Sequence, residues 1–543
     1  MNKKTIQNNF KREKSLTKLK DSKQLWDMLV IGGGATGLGV ALDASSRGLK
    51  TLLIEQADFA NGTSSRSTKL AHGGVRYLAQ GNISLVFEAL KERGRMIKNA
   101  PHLVKMLPFI IPGYSWYQKY FYGIGLKIYD WMARSRRLQK TKILGPKTVN
   151  SLLPNLKTEG LHGGILYFDG QFDDTRLAIN MAQTAAEQGA TLVNYMKALD
   201  LIENEEGKIT GVKAKDLESG QVFNLEAKTV INATGVFVDD ILKMKGPKKS
   251  PLVKASQGIH IVLNKSFMDG ENALMIPSTS DGRVLFAVPW HDHLLVGTTD
   301  TLIETHSLEP VALQSEIDFI METLQGYLKK KPSKSDILSI FAGLRPLVQP
   351  DKEKGTKEIS RDHKLSISKS NLITITGGKW TTYRKMAEDV VDAAIETGNL
   401  TRSACRTQDL RIHGYTIDVH QNALSTYGSD AVHIVNLTKN NPKLKELIHP
   451  KFPNIKAEIV WATRYEMARN VEDVLARRLR ILFLDARAAI DSVETVANIM
   501  ASELKKDQTW ETEQIKKFTN MAQHYLTDEY IPENYKIGKM ELK

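Results

Sequence analysis

The stretch Asp27-Met28-Leu29-Val30-Ile31-Gly32-Gly33-Gly34-Ala35-Thr36-Gly37, followed by a small-residue segment and then Thr51-Leu52-Leu53-Ile54-Glu55, decides the fold. An apolar run, a glycine turn, a segment carrying Ala41 and Gly48, a second apolar run and a closing acid spell strand, turn, helix, strand, acid. That is the unit that grips a dinucleotide. Gly32 permits the tight turn, Gly34 lets backbone approach a pyrophosphate, and Gly37 lets the helix pack against the strand. The N-terminus of the helix offers N–H groups and a positive dipole end to phosphates. Glu55 can accept hydrogen bonds from ribose hydroxyls.

Outward from that unit, the chain is long enough, at 543 residues, for two or three domains. Asn61 to Lys69 reads as a hydroxyl-rich loop, and a Glu/Lys/Leu-rich helix follows. A helix near Asp174 to Gln188 precedes a strand at Thr191-Leu192-Val193, and a hairpin turns at Glu218-Ser219-Gly220. Thr229 to Asn232 is a buried strand running into Ala233-Thr234-Gly235. Segments 252–264 and 284–298 predict a second, mixed sheet, and 336–385 is expected to return to the first domain. Beyond about residue 401 the chain reads as helical and charged. The fold class is therefore α/β, with a discontinuous Rossmann-like nucleotide domain, an inserted mixed or antiparallel sheet and a C-terminal helical domain.

Composition narrows the function. No apolar run is long enough to span a bilayer. The first residues are basic (Lys3, Lys4, Lys11, Arg12, Lys14, Lys18, Lys20, Lys23) without the apolar core of a secretory signal. They are expected to be a disordered, solvated tail. One cysteine, Cys405, excludes an internal disulfide, a four-cysteine iron–sulfur cluster and haem attachment through CxxCH. A net charge of +14 suits anionic substrates or anionic membrane surfaces, and no nucleic-acid module is legible. A metal site at His291, Asp292 and His293 is not supported, because no further ligand is indicated.

Two later features favour FAD over a nicotinamide cofactor. Ala233-Thr234-Gly235 ends an apolar strand, and Thr376-Gly377-Gly378-Lys379 follows Leu372-Ile373-Thr374-Ile375. A second glycine turn of this kind delivers backbone N–H groups and a helix dipole to a flavin ring.

The motifs together resemble the FAD-dependent, quinone-linked glycerol-3-phosphate dehydrogenases. The matching pieces include Ile31 to Gly37, Thr63-Ser64-Ser65 through Lys69-Leu70, His72-Gly73-Gly74-Val75-Arg76-Tyr77-Leu78, Tyr129-Asp130, Asp173 to Leu177, Gln257-Gly258-Ile259-His260, Val296 to Asp300, Ala342 to Leu347, Ser360 to His363, Gly377 to Arg384 and Val471 to Arg478. Two departures stand out. Val236-Phe237 replaces the usual Pro-Trp, and Trp380 stands where leucine is common.

The resemblance implies oxidation of sn-glycerol 3-phosphate to dihydroxyacetone phosphate, a hydride passing from C2 to flavin N5 and the electrons onward to membrane quinone. An oxidase that makes hydrogen peroxide is the alternative; a catalytically silent flavoprotein and a nicotinamide enzyme rank below it. For FAD the implied residues are Gly32, Gly34, Gly37, Glu55, Thr63, Ser64, Ser65, Lys69, Ala233, Gly235, Gly378 and Thr381. For substrate they are Arg76, Tyr77, Arg345, Arg361 and Lys379, with His72 and His260 as the two candidate bases and no metal. On this reading 1–24 is the tail, 25–100, 165–250 and 340–400 bind FAD, 101–164 and 251–339 bind substrate, and 401–543 is the helical domain. The aromatics Tyr114, Trp116, Tyr117, Tyr120, Phe121 and Tyr122, with Arg134, Arg136 and Arg137, suit a bilayer headgroup zone. The C-terminus carries no calcium-binding helix-loop-helix of the mitochondrial members, which points to a bacterial protein peripheral to the inner membrane. A homodimer is the assembly carried forward.

Overall fold

Strand Leu25–Ile31 pairs in parallel with Thr51–Ile54 on one side and with Val222–Asn232 on the other. Thr191–Val193 and Ile373–Gly377 extend the parallel ladder outward. The central stretches 28–31, Thr51–Ile54 and 229–232 are buried because both faces of the parallel ladder are covered there, while 222–228 alternates buried and exposed residues where the strand pairs antiparallel with the hairpin. The sheet is completed by His363–Ile367 at one edge and by Met196–Glu203 and Ile209–Asp216, which reach it through the hairpin. The computed structural model describes residues 10–21, 24–73, 83–115, 122, 123, 125–129, 132, 138–246, 250–349, 363–418 and 423–527.

Helix Ala35–Ser46 is almost wholly buried between this sheet and the helices Asp174–Glu187 and Tyr383–Thr397. Its small residues make that possible. A Cβ on Gly37 would lie 1.9 Å from the Gly32 carbonyl oxygen, and one on Gly39 would lie 3.0 Å from the Tyr383 ring.

The second sheet is the larger. Among the described residues it has ten strands, and its centre is Val253–Asn264 paired along its length with Ser339–Val348. Two expected boundaries are corrected here. Gly163–Phe172 pairs with Val104–Gly113 in this sheet and not in the nucleotide sheet. Ser339–Val348 also belongs here, so the chain returns to the first sheet only at His363–Ile367. The physical reason is antiparallel pairing, of Gly163–Phe172 with Val104–Gly113 and of Ser339–Val348 with Val253–Asn264, which local sequence does not encode.

The expected disordered tail is also corrected. Arg12–Leu19 is a helix, with Phe10, Arg12, Ser15 and Leu19 buried against the body of the protein. Arg12 makes an ion pair with Asp216 at 2.5 Å and donates to the Asn194 carbonyl at 3.1 Å. Residues 1–9 lie outside the described part.

The C-terminal region is helical, with Lys456–Tyr465, Ala486–Leu504 and Gln508–Ala522 around an apolar core that also takes in Val262, Trp290, Leu295 and Phe341 of the second sheet. No helix among the described residues is long and apolar enough to cross a membrane. His413 ties this region to helix Asp174–Glu187, donating to Asp430 at 2.6 Å and to Glu187 on its other nitrogen. Burial alone would lower its pKa, but the two carboxylates outweigh burial and hold it up to about 10. A pKa raised on folding stabilises below the unfolded value and loses that contribution as pH climbs through the folded one. The melting temperature of wild type minus that of His413→Gln should thus be largest near pH 6.5 and should shrink towards pH 10. A difference independent of pH across that window would contradict the clasp.

Candidate functional site

A cleft of about 970 Å³ runs between the two sheets. Gly32, Gly34, Ala35 and Glu55 line it at the first glycine turn, and Gly377, Gly378, Lys379 and Thr381 line it at the second. Its size is at the upper end for small-molecule sites, enough for a large cofactor with a small substrate.

The first turn is built by exclusion. Gly32 has φ +111°, and a Cβ there would meet the Ala233 carbonyl oxygen at 2.6 Å. The Glu55 carboxylate accepts from the Gly33 N–H at 2.5 Å and from the Ala57 N–H at 2.8 Å, which fixes the turn against the neighbouring loop. Burial, the largest influence, raises the Glu55 pKa against those two bonds. Ser64 Oγ accepts from the Ala35 N–H at 2.9 Å, at the start of the helix, and Thr63 donates to the Leu344 carbonyl. The second turn has φ +80° at Gly377 and +71° at Gly378. Trp380, the departure noted in the sequence, joins the two turns by donating its indole N–H to the Ser64 carbonyl at 2.9 Å.

These features fit FAD. Backbone N–H groups at a helix start, a buried carboxylate beside them and a second glycine turn at the far end of one continuous cleft are what a dinucleotide with a flavin head requires.

Three sequence-derived cofactor residues sit elsewhere. Gly37 packs beneath Gly32 and does not line the cleft. Ser65 turns its hydroxyl to the Asn61 and Gly62 carbonyls, closing its own short turn. Lys69 is fully buried away from the cleft, where its ammonium meets Asp174 at 2.5 Å and the Ser65 carbonyl at 2.6 Å. The rings of Trp290, Phe341 and Phe483 surround it. Burial and the neighbouring Arg480, against Asp174, push the Lys69 pKa down to about 7. The Asp173-Asp174-Thr175-Arg176 motif serves the same packing. Asp173 caps its helix on the Arg176 N–H, Asp174 pairs with Lys69 and Arg480, and Arg176 pairs with Glu466 of the C-terminal region.

The end of the cleft that carries Arg345 and His260 is set by strand register. Gly258 and His260 share one face of Val253–Asn264, and Phe341, Gly343 and Arg345 share the same face of the paired strand. The glycines make room. A Cβ on Gly258 would lie 2.3 Å from the Arg345 guanidinium, and one on Gly297 would lie 2.3 Å from the His260 ring. Arg345 donates to the Thr299 carbonyl at 3.0 Å and to Thr298 Oγ1 at 2.9 Å, with Asp300 at 3.6 Å.

His260 stacks on Phe341, with ring centroids 5.0 Å apart. Its Nε2 meets Thr68 Oγ1 at 2.9 Å, and Nδ1 has no hydrogen-bond partner among the described residues. Burial first, then Lys69 and Arg345, hold its pKa well below the ordinary value. His72 lines the same cleft, and burial with Lys379 and Arg93 lowers its pKa to about 4. Behind it the Tyr129 hydroxyl accepts from the Gly73 N–H at 2.8 Å and donates to Asp169 at 2.9 Å, and Asp169 pairs with Arg93 at 2.7 Å.

Ala233, Gly235, Thr63, Ser64, Gly378 and Thr381 all line the cleft. Arg76, Tyr77 and Arg361 lie outside the described residues, as do Trp116, Tyr117, Tyr120, Phe121, Arg134, Arg136 and Arg137. Tyr114 donates to the Lys157 carbonyl and packs against Tyr327. Sequence reasoning passed over Thr68, Thr298, Arg93 and Asp169 as site residues. Thr298 lay within the Val-Gly-Thr-Thr-Asp motif, so that signal was available.

Comparisons with known proteins agree with this geometry. A family described as FAD dependent oxidoreductase matches residues 27–384, and one described as the C-terminal domain of alpha-glycerophosphate oxidase matches 368–511. A mitochondrial glycerol-3-phosphate dehydrogenase of Arabidopsis thaliana is 40% identical over 535 residues, which is 90% of this chain and 85% of that protein. Its counterpart in Mus musculus is 40% identical over 542 residues, covering 92% of this chain and 74% of that protein. The crystal structure of a glycerol-3-phosphate dehydrogenase from Bacillus halodurans, complexed with FAD, superposes with a TM-score of 0.79 at 29% identity, covering 96% of this chain and 99% of that one. The chain belongs to the family of FAD-dependent glycerol-3-phosphate dehydrogenases.

Proposed function

We propose that this protein oxidises the secondary alcohol of sn-glycerol 3-phosphate to dihydroxyacetone phosphate and passes the electrons to a membrane quinone. The observation that carries the reading is that Arg345, Lys379, His260 and His72 line one cleft with both glycine turns. FAD, when bound, supplies the two-electron acceptor that alcohol oxidation requires.

The chain's own residues supply recognition and proton handling. Arg345 lines the cleft and is held there by Thr298 and Thr299, and a guanidinium so placed suits a phosphate. Lys379 is a further cation of the cleft, beside the second glycine turn, and an overall charge of +14 favours the approach of an anion. The hydroxyl proton needs an acceptor that is neutral at working pH. His260 meets that need. Thr68 orients its ring, while Lys69 and Arg345 disfavour the charged form until substrate phosphate offsets Arg345. His72, also neutral, takes the supporting place at the substrate oxygen. Arg76, Tyr77 and Arg361 keep their assignment to substrate on resemblance.

Resemblance and net charge support the quinone and a peripheral place on the membrane. The proposed bacterial setting rests on resemblance alone, the two sequence relatives named above being mitochondrial. With substrate present, reduction of a soluble quinone analogue is expected to outpace accumulation of hydrogen peroxide. Peroxide formed in step with substrate consumed would replace the dehydrogenase reading with the oxidase one.

A further inference from the structure

The N-terminal segment was given no role by the sequence, yet it reaches the cofactor loop by two routes. The first is apolar. Phe10 is 3% exposed and meets the Phe59 ring, centroids 5.9 Å apart. Phe59 in turn lies against the first glycine turn. A Cβ on Gly33 would sit 2.9 Å from the Phe59 ring, and the next residue, Ala60, donates its N–H to the Gly33 carbonyl at 2.9 Å. The second route is polar. Arg12 holds the Asn194 carbonyl, and the Asn194 amide donates to Asp58 at 3.4 Å. Asp58 is fully buried and also receives Arg477 and Arg478 from the C-terminal region, each at 2.6 Å.

Loop 57–64 is thus gripped from outside on consecutive residues, Asp58 and Phe59, while Ala60, Asn61, Gly62, Thr63 and Ser64 face the cleft. We infer that residues 10–19 form a strap that positions the cofactor loop, with Phe10 and Arg12 as its positioning residues, so that retention of FAD depends on a segment that never touches FAD. The inference rests on FAD occupying this cleft. Seating a bulky ring behind Gly33 leaves the turn one conformation. Without Phe10 packed against it, the Phe59 ring is free to shift and the turn and loop can sample other conformations, and a site populated only part of the time binds more weakly by that fraction.

The test is the rate at which flavin fluorescence reappears when full-length holoenzyme is diluted into FAD-free buffer. Phe10→Ala should release FAD about tenfold faster than wild type, while kcat with excess FAD and KM for sn-glycerol 3-phosphate stay within about twofold. Phe10→Leu, which restores apolar volume, should recover most of the loss. Leu324→Ala, a cavity in the core beneath the second sheet, controls for general destabilisation and should release FAD at the wild-type rate. If Phe10→Ala does not accumulate as folded protein, Arg12→Gln is read by the same measurement and should also release FAD faster. Release at the wild-type rate from Phe10→Ala, or from Arg12→Gln in its place, would overturn the inference; so would an equal acceleration in Leu324→Ala. A wild-type protein that holds no flavin at all would instead remove the cofactor reading, and the strap with it.

Discussion

Arg345→Ala is expected to raise KM for sn-glycerol 3-phosphate roughly a hundredfold, with flavin content unchanged, because it strips a charge-assisted, two-pronged contact from the phosphate. The guanidinium is held in place by Thr298 and the Thr299 carbonyl before any substrate arrives, so its ordering cost is already met by the fold. Its partial exposure keeps the expected effect below that of a fully desolvated pair. Arg345→Lys should recover only part of the loss, since an ammonium cannot reproduce the planar fork. Steady-state kinetics on flavin-replete protein measure this. An unchanged KM would take Arg345 out of the substrate site.

His260→Gln should lower kcat by about a hundredfold to ten-thousandfold, the range for loss of a positioned general base. The glutamine amide can keep a hydrogen bond to Thr68 but has no basic nitrogen, so FAD binding and KM should change little. Burial, Lys69 and Arg345 hold the His260 pKa below 6.5, so in wild type the acid limb of kcat/KM should fall below that pH. A His260→Gln enzyme that kept more than about a tenth of its kcat would remove His260 as the base and move the role to His72.

The strand-turn-helix-strand from Leu25 to Ile54 was legible because its signals are local: glycines at fixed offsets, apolar runs and a closing acid. Arg345, Lys379 and His260 were legible as types in motifs, although residues 260 and 345 meet only through a strand pairing. Lys69 was misplaced for the opposite reason. A lysine next to a hydroxyl loop reads as a phosphate ligand until Asp174 and Arg480 arrive from distant parts of the chain to bury it. The same holds for Ser339–Val348, whose register with Val253–Asn264 is set by long-range pairing.

The N-terminal helix is a different kind of miss. Its cations dominated the reading, but Arg12, Ser15 and Leu19, at helical spacing and with Phe10 before them, are the buried face, and Arg12 is itself one of those cations, buried on its partner Asp216. A charged segment with few apolar residues can still dock when those residues share one side.

The central claim is that FAD and a phosphate-binding pocket share one cleft, so that this polyol phosphate is oxidised there. Addition of sn-glycerol 3-phosphate to the purified holoenzyme under anaerobic conditions tests it most directly. The visible absorption of the flavin should bleach at once with sn-glycerol 3-phosphate and hold with unphosphorylated glycerol at the same concentration. A yellow protein whose spectrum is unmoved by sn-glycerol 3-phosphate, or bleached equally by glycerol, would contradict it.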